Sequence, residues 1–387
     1  MDDLGSCKSF FDDLLSEDKY PNALKNILHI SQGGKDILLK CIGRYQRKYS
    51  TSKAGYVEAE LIRRFIEPSS FQREKFSTIK GPISLYQMSS DEYPQIFYLF
   101  GDRHVLKSEC GDILPFYSWI QDTIVNSPVF IDIYAEADYR HKLNLYKGDF
   151  VLGYLTAFND SFKQCLYKDK SLYKICQTSR YHYTDVRFMY ETKKQKLGFD
   201  ISDELLRLGK DFLYTSAIDE DTREKYIEGI NEYIGYVTSP LSLIHKRIYK
   251  QISNIKDYYL RIALEKSFIT CTLQNKDFFI LNPYVPVGWK KLKTNFVRLL
   301  KYRNCLMDYY LIARCFRSFA KGEGYSRPGY NNIVYAGNTH IQNYVNILQE
   351  LGFQIDVKIP VKKAGDKKLQ CLDISNLQQP LFYQRYT

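Results

Sequence analysis

The sequence predicts an α/β fold: a mostly parallel central sheet with flanking helices, interrupted by a large helical insertion. Three observations carry the prediction. Apolar runs of strand length alternate with stretches of helical period, which is the signature of a parallel sheet with crossover helices. The run "IFYLF" at 96–100 is apolar at every position, as a strand buried on both faces is. Residues 194–320 carry helical periodicity alone, which marks an insertion or cap.

The elements follow in order. Residues 1–77 read as a helical region, with "SFFDDLLSEDKYPNALKNILHI" and "AGYVEAELIRRFI" spaced for helices and a break expected at Gly33–Gly34. Residues 78–193 form the first half of the α/β domain. There "PISLYQMSSDEYPQIFYLF" is strand, turn and strand, and "CGDILPFYSWIQDTIV" is a helix. "PVFIDIYAEADY" is the next strand, "GDFVLGYLTAFNDSFKQCL" a helix and "SRYHYTDVRFMY" a further strand. The second half, 321–387, returns to strand, helix and strand in "NNIVYAGNTHIQNYVNILQELGFQIDVKI" before a C-terminal tail.

Two of the strands end alike. Gly101-Asp102-Arg103-His104 and Gly337-Asn338-Thr339-His340 are two copies of Gly-x-x-His, each after an apolar strand and before a helix. Glycine suits a sharp turn, and ligands of open α/β sheets bind outside the carboxyl ends of the strands. Two imidazoles there with one carboxylate would hold a divalent ion and leave it open positions. The plainer alternative is that each histidine caps its helix or bonds within a loop. Strand alternation puts Asp132, Tyr134 and Glu136 on one face. Glu136, at the carboxyl end, is the candidate ligand, or else an exposed loop acid; Asp132, further down, reads as structural. In the third cluster, Arg180, His182 and Thr184 share one face, with Tyr181, Tyr183 and Asp185 on the other. So many charges are costly to bury unpaired. The segment is either a solvated edge strand or a site wall in which Asp185 fixes an arginine or a histidine tautomer.

These residues together resemble the TraB/Tiki-type metallohydrolase superfamily, related to erythromycin esterase-like and ChaN-like proteins. The first motif departs from the family pattern: it is Gly-Asp-x-His, closer to the Gly-Glu-x-His of the esterase-like branch. The run Arg180-x-His182-x-x-Asp185-x-Arg187 is similar instead to a pattern in uncharacterised proteins of large DNA viruses. The resemblance implies a site with His104, His340 and Glu136 as ligands of a divalent ion (Zn or Mn). It also implies an arginine on the helix before the second motif, where "MDYYLIARCFR" offers Arg314, preceded by Asp308. The activity implied is hydrolysis of a peptide or ester bond. Asp102 or His182 would be the base, and Arg180, Arg187 or Arg314 would hold an oxyanion or a substrate carboxylate.

Composition bounds the alternatives. The apolar share of 44% supports a real core. The nine cysteines, at 7, 41, 110, 165, 176, 271, 305, 315 and 371, include no CxxC pair, which excludes a zinc ribbon. Their odd number without a framework predicts a reducing compartment. The start "MDDLGSCKSF" has no signal-peptide pattern and no window is apolar enough for a membrane span. The expectation is therefore host cytoplasm or virion, without secretion. Heavy use of Tyr (34 residues), Lys, Ile and Asn is the bias of an AT-rich genome. A non-catalytic virion protein that keeps the fold and binds other virion proteins is the competing reading. The net charge of +11 and the basic runs "WKKLKTNFVRLLKYRN" and "VKKAGDKK" permit nucleic-acid contact. No recognition signature accompanies them, so specific binding of nucleic acid is not expected.

Overall fold

The structure is a computed structural model. It describes residues 31–48, 54–67, 75–103, 110–138, 154–162, 165, 174–187, 220–275, 289–317, 319, 329–361, 363–364, 367–368 and 370–382. His104 of the first motif, the segments 1–30 and 188–219, and residues 362, 365, 366 and 369 lie outside the described residues.

The chain divides into two compact units, Met1–Tyr183 with Ser318–Thr387, and Thr184–Arg317. In the first, helices α1 (Gln32–Lys48) and α2 (Ala54–Ile66) precede the short strand β1 (Thr78–Lys80). The Gly33–Gly34 pair does not break a helix but opens one. Ser31 accepts from the Gly34 N–H at 3.3 Å through its side chain, so the glycines occupy the first turn of α1 beyond a serine cap.

The six-stranded sheet contains β2 (Ser84–Ser89), β3 (Ile96–Asp102), β4 (Ile131–Asp138), β5 (Ser179–Asp185), β6 (Asn331–Gly337) and β7 (Gln354–Ile359). Their spatial order is β5-β4-β6-β3-β2-β7. Strand β6 lies between β3 and β4 and runs parallel to both, whereas β2 is antiparallel to β3 and to β7. The chain reaches β4 from β3 by way of α3 (Phe116–Asn126), leaving the place between them for a strand more than 200 residues later. Helices α4 (Tyr154–Phe162) and α5 (Lys174–Gln177) lead from β4 to β5, and the tail adds β8 (Lys363–Ala364), β9 (Lys367–Lys368) and β10 (Cys371–Asp373), the last paired with β1.

Registry and alternation sort the sheet's side chains into two faces. Phe100, Asp102, Ile133, Ala135, Ile333 and Tyr335 share one face. There Phe100, Phe116, Phe158 and Tyr335 form an aromatic cluster with ring centroids 4.7–5.5 Å apart. Leu99, Gly101, Tyr134, Glu136, Val334 and Ala336 point to the other, which receives α10 (Asn338–Glu350). At the amino end of β6, Asn331 donates to the Phe130 carbonyl at 2.9 Å and Asn332 to that of Gly329 at 3.1 Å, which ties the inserted strand into place.

The described part of the second unit is built of helices: α6 (Glu220–Val237), α7 (Leu243–Ser253), α8 (Tyr258–Gln274) and α9 (Trp289–Phe316). The stretch from Leu243 to Gln274 breaks into two helices because each has its own cap. Ser242 accepts from the His245 N–H, and Asp257 from the Leu260 N–H at 2.8 Å. Among the described residues, no helix is long and apolar enough to cross a membrane.

The expectation of unframed cysteines is overturned. Disulfides join Cys110 to Cys371, Cys165 to Cys176 and Cys271 to Cys305, and Cys41 is also disulfide-bonded. Of the described cysteines, Cys315 alone is a thiol. Scattered spacing hid the pairs because two of them join residues 34 and 261 positions apart, beyond any local motif.

Candidate functional site

Glycine 101 and Gly337 occupy equivalent places in the sequence motif but different places in the fold. In the β3–β6 ladder Gly101 pairs with Ala336 and Asp102 with Gly337, so the two motifs are offset by one residue. Strand β3 continues through Gly101, while Gly337 ends β6 and caps α10. Gly101 is needed for space. Ser84 donates to Asn338 Oδ1 at 2.6 Å directly over it, and a Cβ there would meet Ser84 Oγ and, at 2.5 Å, Asn338 Oδ1. Gly337 instead offers its N–H, which donates to Glu136 Oε2 at 2.7 Å.

That bond places Glu136 at the N-terminus of α10, where a carboxylate is favoured by the helix dipole. The Glu136 side chain is 10% exposed, so the reading of an exposed loop acid does not describe it. His340 sits in the first turn of the same helix, buried, with Nε2 3.5 Å from Glu136 Oε1. The two residues that the sequence nominated from separate strands therefore meet. Their separation exceeds the usual 2.7–3.2 Å of a hydrogen bond. Two ligands about 2.1 Å from one tetrahedral ion stand about 3.4 Å apart, and the pair has that spacing. Among the described residues no third His, Cys, Asp or Glu completes a cluster with them; His104, the expected third ligand, lies outside the described residues.

Asp102 is not beside this pair. Alternation puts it on the opposite face, where it accepts from the Tyr335 hydroxyl at 2.9 Å. Burial first, and then the neighbouring Asp102 carboxylate, push the Tyr335 hydroxyl well above its ordinary value. Tyr335 thus stays protonated and remains a donor, which suits Asp102 to fixing the end of β3.

The charged cluster on β5 is largely buried rather than a solvated edge; Asp185 does fix an arginine, Arg187, while Arg180 and His182 turn to Asp132. Asp132 receives Arg180 in two bonds, Nε at 2.7 Å and Nη2 at 2.9 Å, and His182 Nε2 lies 2.9 Å from its Oδ1. The His182 ring stacks between Tyr134 and Phe319 at 4.4 and 4.9 Å, and the Arg180 guanidinium lies 4.5 Å over Phe319. Complete burial alone would raise the Asp132 carboxyl, but Arg180 and His182 pull it down to about 2. Asp185 holds Arg187, two residues along, at 2.7 and 2.8 Å. Arg314 lies within the helical unit, with Nη1 3.5 Å from Gln251. The nominated base His182 is therefore committed to Asp132, and Asp185 and Arg187 to each other. What sequence reasoning missed is Asn338 with Ser84, and the two partners of Asp132, a residue it read as structural, both of which come from one strand.

The chain matches no protein-family model, no curated protein and no solved structure.

Proposed function

We propose that this protein is a metal-dependent hydrolase of peptide or ester bonds, with Glu136, His340 and His104 as the protein ligands of a zinc or manganese ion. The observation that carries the reading is the 3.5 Å approach of Glu136 Oε1 and His340 Nε2 at the carboxyl ends of β4 and β6. Carboxylate and imidazole together suit zinc and manganese alike. A bound divalent ion there supplies a Lewis acid and a water that ionises near neutral pH.

The protein's own residues do the positioning. The Gly337 N–H holds one oxygen of Glu136 and leaves the other directed toward His340. The Ser84–Asn338 bond ties the first turn of α10 to β2, so the imidazole is carried on a helix fixed at its start. Tyr344, one turn on, stacks beside it with ring centroids 6.2 Å apart.

Elemental analysis of purified protein should find close to one equivalent of Zn²⁺ or Mn²⁺, lost in Glu136→Gln, His340→Ala and His104→Ala. The same three variants should lose hydrolysis of a panel of peptide and ester substrates while keeping the wild-type circular dichroism. Wild-type protein that takes up neither ion by titration calorimetry, and whose melt neither ion shifts, would reject the reading.

A further inference from the structure

Helix α8 has two apolar faces, and its own unit uses one. Leu260, Leu264, Phe268 and Thr272 are buried in the packing of α8 with α7 and α9. The helix is held firmly there. The Phe268 and Tyr309 rings are 5.4 Å apart, Ser267 and Tyr309 share a hydrogen bond at 2.5 Å, and the Cys271–Cys305 disulfide joins α8 to α9. On the other side Tyr258, Tyr259, Ile262, Ile269 and Leu273 are 59, 79, 44, 40 and 58% exposed. Among the described residues eight large hydrophobics are exposed, and five of them lie on this helix. Single exposed apolar residues are ordinary, but their concentration on one stripe marks an interaction surface.

The spacing indicates what kind of partner fits. Tyr259, Ile262, Lys266, Ile269 and Leu273 follow one another at intervals of three, four, three and four, the seam by which one helix packs along another. Lys266 is the one charge in that seam, and it is exposed. A second copy of this chain is a poor match. Parallel pairing stacks Lys266 on its own copy. The antiparallel pairing that seats Ile262 against Ile269 brings the two copies of Lys266 together at the centre of the seam. The whole chain also carries +11, which favours an acidic partner over itself.

We propose that this face of α8 docks an amphipathic helix of a different protein, one whose apolar stripe carries a carboxylate opposite Lys266. The two rows of aliphatic side chains provide the area, and the Lys266 pair sets register and partner choice.

The test uses the full chain and two designed fluorescent peptides, each 21 residues (roughly three heptads), with leucine at the seam. One has glutamate and the other lysine at the central seam position. The glutamate peptide should bind the wild type at least about tenfold more tightly, the ratio that about 1.4 kcal/mol of charge pairing gives. Lys266→Glu should reverse the preference, and Ile262→Asp or Ile269→Asp should abolish binding of both peptides without changing the melt. Three results would overturn the proposal: binding of neither peptide, a preference that Lys266→Glu leaves unchanged, or a dimer by light scattering that Ile269→Asp converts to monomer. The last would assign the face to a second copy.

Discussion

Asp132 and Glu136 stand four residues apart on one strand and point to the same side of the sheet, yet they are held in opposite ways. Asp132 is buried under aromatic rings, with both oxygens engaged by Arg180 and one also by His182. Glu136 lies at the carboxyl end, with one oxygen on a backbone N–H and the other beyond hydrogen-bond length from an imidazole. A carboxylate whose partners arrive at bonding distance from its own neighbouring strand is committed to the fold. One that stands from an imidazole at the spacing of two metal ligands is the carboxylate on which the metal proposal rests. The difference is set by depth along the strand, since only the carboxyl end meets the N-terminus of α10.

The largest expected effect breaks the structural member. Asp132→Asn leaves the largely buried Arg180 guanidinium without this counter-charge, so urea unfolding should show a loss of about 3 kcal/mol. Acid gives a milder version of the same experiment. The folded Asp132 carboxyl titrates at about 2 against an ordinary 3.8. Its contribution is therefore complete above about pH 4 and disappears as the pH falls toward 2, a loss of about 2 kcal/mol. The Asp132→Asn protein should lose that much less over the same interval. Equal acid sensitivity in the two proteins would show that Asp132 is not the residue that matters.

Next in size is Gly101→Ala, which probes the frame around the other member. The added methyl must displace the Ser84–Asn338 hydrogen bond, and crowding of this kind costs about 1–3 kcal/mol. Because Asn338 opens the helix that carries His340, the same change should weaken ion binding. Gly111→Ala serves as the control, since a Cβ there meets nothing within 4 Å and any loss comes from its positive φ of 65°. Ion affinity should be unchanged in that variant.

The central architecture was legible because β3 is a continuous apolar run, β4 and β6 carry strand-length apolar patterns, and the helices between them are periodic; the mostly parallel sheet with flanking helices follows from that pattern. The adjacency of β3 and β6 was hinted at by their shared ending, and the ladder between them bears out the adjacency. Other features were not legible. A one-residue offset between the two motifs depends on hydrogen-bond register, which two similar strings do not encode. Whether Asp102 and Glu136 share a face depends on that same register, and a slip of one residue reverses it. The bond partners of Arg180 and His182 depended on which strand lies beside β5, and the order β5-β4 makes Asp132 the acceptor rather than Asp185. The disulfides were invisible because sequence spacing shows no distances. Their presence bears on the expected reducing compartment: non-reducing peptide mapping of natural protein should recover the Cys110–Cys371 and Cys271–Cys305 pairs, and finding them as thiols would restore that expectation.

The smallest expected effect on stability is also the sharpest test of the comparison. In Glu136→Gln the amide oxygen can still accept from Gly337, and the site lies at the sheet's edge rather than under the aromatic cluster. The metal-free variant should therefore lose less than about 1 kcal/mol, within the range of a single neutral hydrogen bond. What it should lose is the response to metal. A ligand that binds only the folded state at a hundred times its dissociation constant raises stability by about 2.7 kcal/mol. Wild-type protein in Zn²⁺ or Mn²⁺ should show a gain of that order, and Glu136→Gln should show little or none. Asp132→Asn should behave in the reverse sense, unstable without metal yet still stabilised by it. If instead Glu136→Gln were as damaging as Asp132→Asn in the absence of metal, Glu136 would be a second structural carboxylate, and the distinction between the two ends of β4 would fall.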